Sequence, residues 1–413
     1  MGYSERLLGG AVGALNAGGR ILSRVGLKYP SLQRESLNDV ARRRTKLDDF
    51  GDWAFDQALA RLLESYETES RLTTLGRISV RELVVSLLEN LLYMERERKE
   101  VPAVVDETIV APTFIIGLPR TGTTLLHGLI SVDPANRVPR TWEVMYPSRF
   151  PGTPEGMEQA RRLTATRLGW ANRLAPQFRK IHPIAPDLPQ ECIAITAQVF
   201  MSIQFHTTHD VPSYEDWFER DSQALGYAFH RRLLQHLQIR RRGGRWVLKA
   251  PGHLFALDAL LAEYPDAKII QTHRDPLRVM ASMASHATVL RRAFSNHADP
   301  EQIAADWSRR WSDALVSFLA VRDRNDDRRF LDIAYDDIES RPLEVVDRIY
   351  RFLHWPLTEQ ARSAMQRFLD ANPKNKHGVH RYSLAEYGLS SEDERVRYAD
   401  YCKRFDIAVQ ADL

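Results

Sequence analysis

The sequence predicts an α/β fold, a P-loop-type parallel sheet flanked by helices, with a helical N-terminal extension. Three observations predict it. Short β-branched strand patterns alternate with helical spacing from residue 113 onward. A glycine-bracketed, hydroxyl-rich turn, Gly117–Thr124, joins the first strand to the first helix. Before all of this, a hundred residues read as helix alone.

In the extension, Val80, Leu83, Val84, Leu87, Leu88, Leu91 and Leu92 recur at i, i+3, i+4 and i+7, one buried helix face. The charged run Glu95–Glu100 is expected to end that helix in solvent, and Pro102 and Pro112 bracket a connector. Four strands follow: Thr113–Ile116, Arg245–Lys249, Ala267–Thr272 and Arg329–Ile333. Helical spacing restarts after each, at Leu125–Ile130, Leu254–Leu261, beyond Pro276, and Leu343–Phe352. Such alternation gives a parallel sheet whose ligands sit at the carboxyl ends of the strands. The expected partition is a helical extension over 1–105 and a catalytic domain over 106–413. Within the latter, 151–244 is a helical insertion lining the acceptor cleft. Its residues Phe200, Phe205, Tyr214, Trp217 and Phe218 suit a bulky, apolar small-molecule acceptor.

Bulk properties narrow the function. At 413 residues the chain can bury a full α/β core. A net charge of +3 lacks the basic stripe that nucleic-acid binding needs. Two cysteines, Cys192 and Cys402, exclude a disulfide framework and point to a reducing, cytoplasmic compartment. The uncharged run Leu7–Gly19 is too short to span a bilayer, which takes roughly 20 apolar residues. It follows Glu5 and Arg6, unlike a signal peptide, and the first residues lack the myristoylation pattern. Leu7, Leu8, Val12, Leu15, Ile21, Leu22 and Val25 form a weak amphipathic face. Docking on the protein's own surface is the plainer reading of it; peripheral contact with a membrane is the sharper one.

The turn Gly117-Leu-Pro-Arg-Thr-Gly-Thr-Thr124 has G-x-x-x-x-G spacing between strand and helix, which suits an anion. Triphosphate-binding loops follow the second glycine with lysine; here it is Thr123, and the positive charge is Arg120 within the loop. The loop suits a mixed anhydride held without a metal better than Mg²⁺–ATP.

Gly117–His127 resembles the 5′-phosphosulfate loop of sulfotransferases that use 3′-phosphoadenosine 5′-phosphosulfate (PAPS), above all the bacterial branch akin to tyrosylprotein sulfotransferases. The resemblance covers about residues 110 to 390. It implies a loop of Arg120, Thr121, Gly122, Thr123 and Thr124 around the 5′-phosphosulfate, with Arg120 also serving the transfer. It implies that Arg274 and Ser282, eight residues apart, hold the 3′-phosphate, as a bidentate guanidinium and a hydroxyl would. Tyr335, in Ala334-Tyr-Asp-Asp-Ile338, would lie by the adenine, and Lys376 and His377 would close a basic loop over the 3′-phosphate. Glu143, in Arg140-Thr-Trp-Glu-Val144, stands where that branch has its base; Lys249 stands where it stabilises the leaving phosphate oxygen. His253 is the second choice for the base.

His206-Thr-Thr-His209 lacks the i, i+4 spacing and the glutamate of H-E-x-x-H, so it reads as structural or substrate-lining, and no metal is expected. The absence of G-x-S-x-G leaves serine hydrolase chemistry unsupported. Two other readings stay open: a P-loop small-molecule kinase using ATP, and a nucleotide-binding module without catalysis.

Overall fold

The computed structural model describes residues 10, 13–19, 21, 28–174, 184–295, 297–373 and 383–409. After a helical run at 13–19 come three helices: α1 (Arg34–Thr45), α2 (Asp56–Thr68) and α3 (Thr74–Glu100). Thr73 caps α3 by accepting the Gly76 N–H at 3.0 Å, the side-chain oxygen satisfying an orphan donor of the first turn. The charged run Glu95–Glu100 forms the last turns of α3, which ends in solvent at the exposed Lys99 and Glu100 as expected. Glu95 is buried, with Arg98 donating to it at 2.6 Å. Of the candidate N-terminal amphipathic face, Leu15 and Ile21 are exposed; the other members lie outside the described residues.

The sheet has five parallel strands in the order β2-β3-β1-β4-β5. They are β1 (Thr113–Gly117), β2 (Asn136–Arg137), β3 (Arg245–Lys249), β4 (Lys268–His273) and β5 (Phe330–Ala334). β1 is central and buried throughout, with Phe114 opposite Leu248 and Ile269. Its side chains alternate between two cores. Phe114 and Ile116 face a cluster shared with α1–α3; Ile115 faces another with Val247, Ile270 and Ile333. Burial on both faces is what a parallel sheet requires, each large side chain contributing roughly 1.5–3 kcal/mol. The extension and the sheet therefore share one core across residue 105.

The chain runs from β1 out to the edge strand β2 and back inward to β3, then crosses to β4 and β5 on the other side. The carboxyl end of β1 is thus the switch point of the sheet, where ligands bind in open α/β folds. Four helices meet there or wall the space above it: α4 (Thr123–Ser131), α5 (Thr141–Met145), α6 (Pro154–Leu174) and α7 (Cys192–Thr196).

The aromatics expected to line an acceptor cleft do something else. Phe200, Phe205, Tyr214 and Phe218 are buried in the main core, around α8 (Gln204–Thr208) and α9 (Pro212–Arg220). The cleft wall comes from other residues of 151–244, among them Trp170, Glu191, Ile193 and Ile203, and from α3.

Candidate active site

The loop after β1 is held in a conformation that its residue types explain. Gly117 packs so closely on β4 that a Cβ would come within 2.2 Å of Thr272 Oγ1 and 2.7 Å of its carbonyl oxygen. Arg120 and Gly122 both adopt positive φ, +66° and +84°, costly for the arginine and free for the glycine. Thr121 is fully buried; its hydroxyl donates to Leu118 O at 2.6 Å and meets Thr272 Oγ1 at 2.7 Å. Its side chain is therefore a brace between loop and strand and is not among the cavity-lining residues. Arg120, Gly122, Thr123 and Thr124 line the cavity, beside the N-terminus of α4, whose first N–H groups have no intrahelical acceptor.

Arg274, just past β4, donates to the Arg120 carbonyl at 2.7 Å. Its guanidinium lies 3.9 Å from the centre of the Tyr335 ring, and both side chains line the cavity. Burial pushes the Arg274 pKa down, while the Tyr335 hydroxyl opposes that shift. Ser282 is half-buried on α12 (Pro276–Arg292) and is not one of the residues that line the cavity. Lys376 and His377 lie outside the described residues.

Lys249 ends β3, 2% exposed. Its Nζ donates to Thr124 Oγ1 at 3.2 Å and is ion-paired with Glu191. The charge is not shared by the neighbouring histidine: His127 on α4 hydrogen-bonds the Val247 carbonyl at 3.1 Å. Burial and then the Lys249 charge hold its pKa down to about 3, so it stays neutral.

Glu143 is elsewhere. It accepts the Arg140 N–H at 2.8 Å, as the N3 carboxylate of a capping box on α5, and lies 3.5 Å from Arg137, which is 6% exposed. Burial raises its pKa, opposed by Arg137. It is not one of the cavity-lining residues; its contacts are those of a helix cap and an ion pair. His253 fares no better: it is buried beneath Phe114, bonded to Tyr227 Oη at 2.6 Å, with burial pushing its pKa well below the usual range. His206 and His209 are core residues, the first bonded to Asp306 at 2.7 Å and the second to Thr208 Oγ1 at 2.8 Å.

The carboxylate that does meet Lys249 is Glu191. Its position is set by a short antiparallel bridge between Arg140 and Pro189, flanked by Thr141 N–H to Leu188 O at 3.0 Å and Gln190 N–H to Pro139 O at 2.8 Å. The Arg140 guanidinium also donates to Asp187 O at 2.6 Å. Glu143, by fixing Arg140, thus acts on the segment that carries Glu191. The sequence held one signal for it: Glu191 directly precedes the apolar run Cys192–Ile195.

The cavity that joins these residues measures about 1570 Å³. Leu75, Ile78, Leu83 and Leu87 of α3, with Met283 and Leu290 of α12, give it an apolar wall.

A model of the sulfotransferase family matches residues 112–359. Over 269 residues the chain is 27% identical to the omega-hydroxy-beta-dihydromenaquinone-9 sulfotransferase Stf3 of Mycobacterium bovis. That match takes in 60% of this chain and 64% of the relative, a little under two thirds of its length. Among solved structures, sulfotransferase STF1 of Mycobacterium tuberculosis is 36% identical with a TM-score of 0.80, over 89% of this chain and 98% of its own. Sulfotransferase STF9 of Mycobacterium avium is 26% identical with a TM-score of 0.81, over 93% and 99%.

Proposed function

The chain belongs to the sulfotransferase family, and from that premise we propose that it moves a sulfuryl group from PAPS to a hydroxyl of a bulky, apolar small molecule. The observation that carries this reading is the position of Lys249, between Thr124 of the anion loop and the Glu191 carboxylate. An anion seated on the loop and the α4 N-terminus lies beside a buried cation on one side. On the other side of that cation is a carboxylate that lines the cavity.

Sulfuryl transfer is in line and dominated by positioning and charge stabilisation, as phosphoryl transfer is. The acceptor oxygen bonds to sulfur while the bond from sulfur to the 5′-phosphate oxygen breaks. The acceptor proton goes to Glu191 Oε, which makes Glu191 the general base. Lys249 and Arg120 neutralise the charge that develops on the departing phosphate oxygen. Arg274 receives the 3′-phosphate and packs on Tyr335, which borders the adenosine; Ser282, behind them on α12, has a lesser part. The product is adenosine 3′,5′-bisphosphate. We expect no metal in this step, because loop, helix terminus and two cations supply the positive charge.

The cavity exceeds the roughly 300–1,000 Å³ that encloses a drug-sized ligand, so it accommodates the donor and a large acceptor together. A relative named as an omega-hydroxy-beta-dihydromenaquinone-9 sulfotransferase supports an apolar acceptor of that kind. Thr123 in place of a P-loop lysine, and structural relatives that are sulfotransferases, leave the ATP-kinase reading without support. Among the described residues no helix is long and apolar enough to cross a membrane. We propose a cytoplasmic location, where the two buried, unpaired cysteines stay reduced.

Titration calorimetry tests the donor assignment. Adenosine 3′,5′-bisphosphate should bind at least tenfold more tightly than ADP with Mg²⁺; the reverse order would restore the kinase reading.

A further inference from the structure

The cavity reaches the protein surface beside Trp170 on α6. That ring lines the cavity and yet is 54% exposed. A single exposed tryptophan is unremarkable; this one has arginines on both sides. From Gln159 to Leu174, α6 carries Arg161, Arg162, Arg167 and Arg173 and no acidic residue. Two of these are spent on carboxylates, Arg162 on Glu158 at 2.8 Å and Arg161 on Asp187 at 2.9 Å. The other two stand three residues before and three after Trp170, on its face of the helix. Arg173 lies 5.2 Å from the Trp170 ring centre, while Arg167 is half-buried in the cavity wall, 5.3 Å over the Tyr146 ring, donating to Ser86 Oγ at 3.1 Å beside Glu82.

The helical run 13–19 borders the same cavity. Asn16 lines it and accepts the Leu75 N–H at 3.1 Å. On this segment Leu15 is 41% exposed, and nearby Ile21 is 65% exposed. The segment that contributes Asn16 to the cavity thus also carries an exposed apolar side chain, Leu15. An aromatic ring with cations one turn to either side is the pattern of a helix that lies in a lipid head-group layer.

We infer that this face rests on an anionic bilayer surface. Trp170 sits among the head groups, the exposed Arg173 meets a lipid phosphate, and an apolar acceptor passes from bilayer to cavity without crossing water. The proposal rests on the apolar-acceptor reading above and adds the surface that delivers the acceptor.

Co-sedimentation of the full chain with vesicles tests it. We expect binding to phosphatidylcholine vesicles that contain about a third phosphatidylglycerol, and markedly less to pure phosphatidylcholine. Binding should fall as salt rises, since a Debye length of about 10 Å at 0.1 M shortens to about 3 Å at 1 M. Trp170→Ala and Arg173→Glu should each lower the partition coefficient by roughly fivefold or more, the factor one basic residue supplies near such a surface. Circular dichroism should stay as in the wild type in both variants, and adenosine 3′,5′-bisphosphate affinity should stay so in Arg173→Glu, whose side chain is outside the cavity lining. No binding to either vesicle, equal binding to both, or an unchanged partition coefficient in either variant would overturn the proposal. Vesicle binding by a wild type that ignores adenosine 3′,5′-bisphosphate would uphold the surface and sink the sulfotransferase activity instead.

Discussion

The guanidinium of Arg274 lies 3.9 Å from the centre of the Tyr335 ring while donating to the Arg120 carbonyl at 2.7 Å. Three segments distant in sequence, the loop after β1, the end of β4 and the end of β5, are tied together by this one side chain. The tie forms at the carboxyl edge of the sheet, and it orients a planar cation beside the anion loop. A guanidinium held this way is preorganised for a bidentate oxyanion.

Arg274→Ala should therefore weaken adenosine 3′,5′-bisphosphate by roughly tenfold to a hundredfold, the worth of a charged hydrogen-bonded contact of about 1.5–3 kcal/mol. Adenosine 5′-phosphosulfate, which has no 3′-phosphate, should lose much less. Calorimetry on both ligands checks this; equal losses would remove the 3′-phosphate assignment.

Gly117→Ala should destabilise the protein by about 1–3 kcal/mol, the usual cost of overpacking. The added Cβ meets the Thr272 carbonyl oxygen, strand backbone that cannot step aside. A denaturant midpoint like that of the wild type would show that the loop is looser than its packing on β4 implies.

Glu143→Gln separates structure from catalysis. The amide still accepts the Arg140 N–H but loses the ionic partner of Arg137, so stability should drop by roughly 1–3 kcal/mol. Turnover per folded molecule should stay within about threefold of wild type. A collapse of turnover in a fully folded variant would return the base to Glu143.

The contrast between Glu143 and Glu191 shows what was legible in the sequence. The loop, Arg274 and Tyr335 could be read because each follows its strand directly, and local spacing carries the geometry. The strands at 113, 245, 268 and 330 were legible for the same reason, through β-branched runs bounded by turns. β2 was not, since Asn136–Arg137 is too short to have a pattern. Glu191 meets Lys249 from 58 residues away, through a bridge that only tertiary packing creates. Glu143 attracted attention by its distance from the loop, although its three-residue spacing from Arg140 is that of a helix cap. Phe200, Phe205, Tyr214 and Phe218 could not be told from a cleft lining, because core and cleft both favour aromatics; which helix covers which face decided it.

Acid should loosen the β4–β5 edge that carries Arg274. Asp332 accepts from Arg322 at 2.7 Å and bonds His273 at 2.8 Å. Burial alone would raise its pKa, but these partners outweigh burial and hold it well below the ordinary 3.8. A depressed carboxyl stabilises the fold fully above its unfolded value and loses that contribution as pH falls through the folded one. The stability gap between wild type and Asp332→Asn should thus be widest above pH 5 and should narrow as pH drops below about 4. Urea midpoints across that range check it; a gap independent of pH would mean that the carboxylate is not the ionised partner of Arg322.

The most direct test is product formation by purified protein given PAPS and a panel of long-chain apolar alcohols, followed by mass spectrometry, with Glu191→Gln beside the wild type. We predict a sulfated alcohol and adenosine 3′,5′-bisphosphate from the wild type, undiminished by EDTA. In Glu191→Gln the rate should be lower by roughly 10²–10⁴, the usual contribution of a general base, with adenosine 3′,5′-bisphosphate affinity preserved. A Glu191→Gln variant that turns over like the wild type, or a wild type that consumes ATP with Mg²⁺ and leaves PAPS intact, would contradict the account.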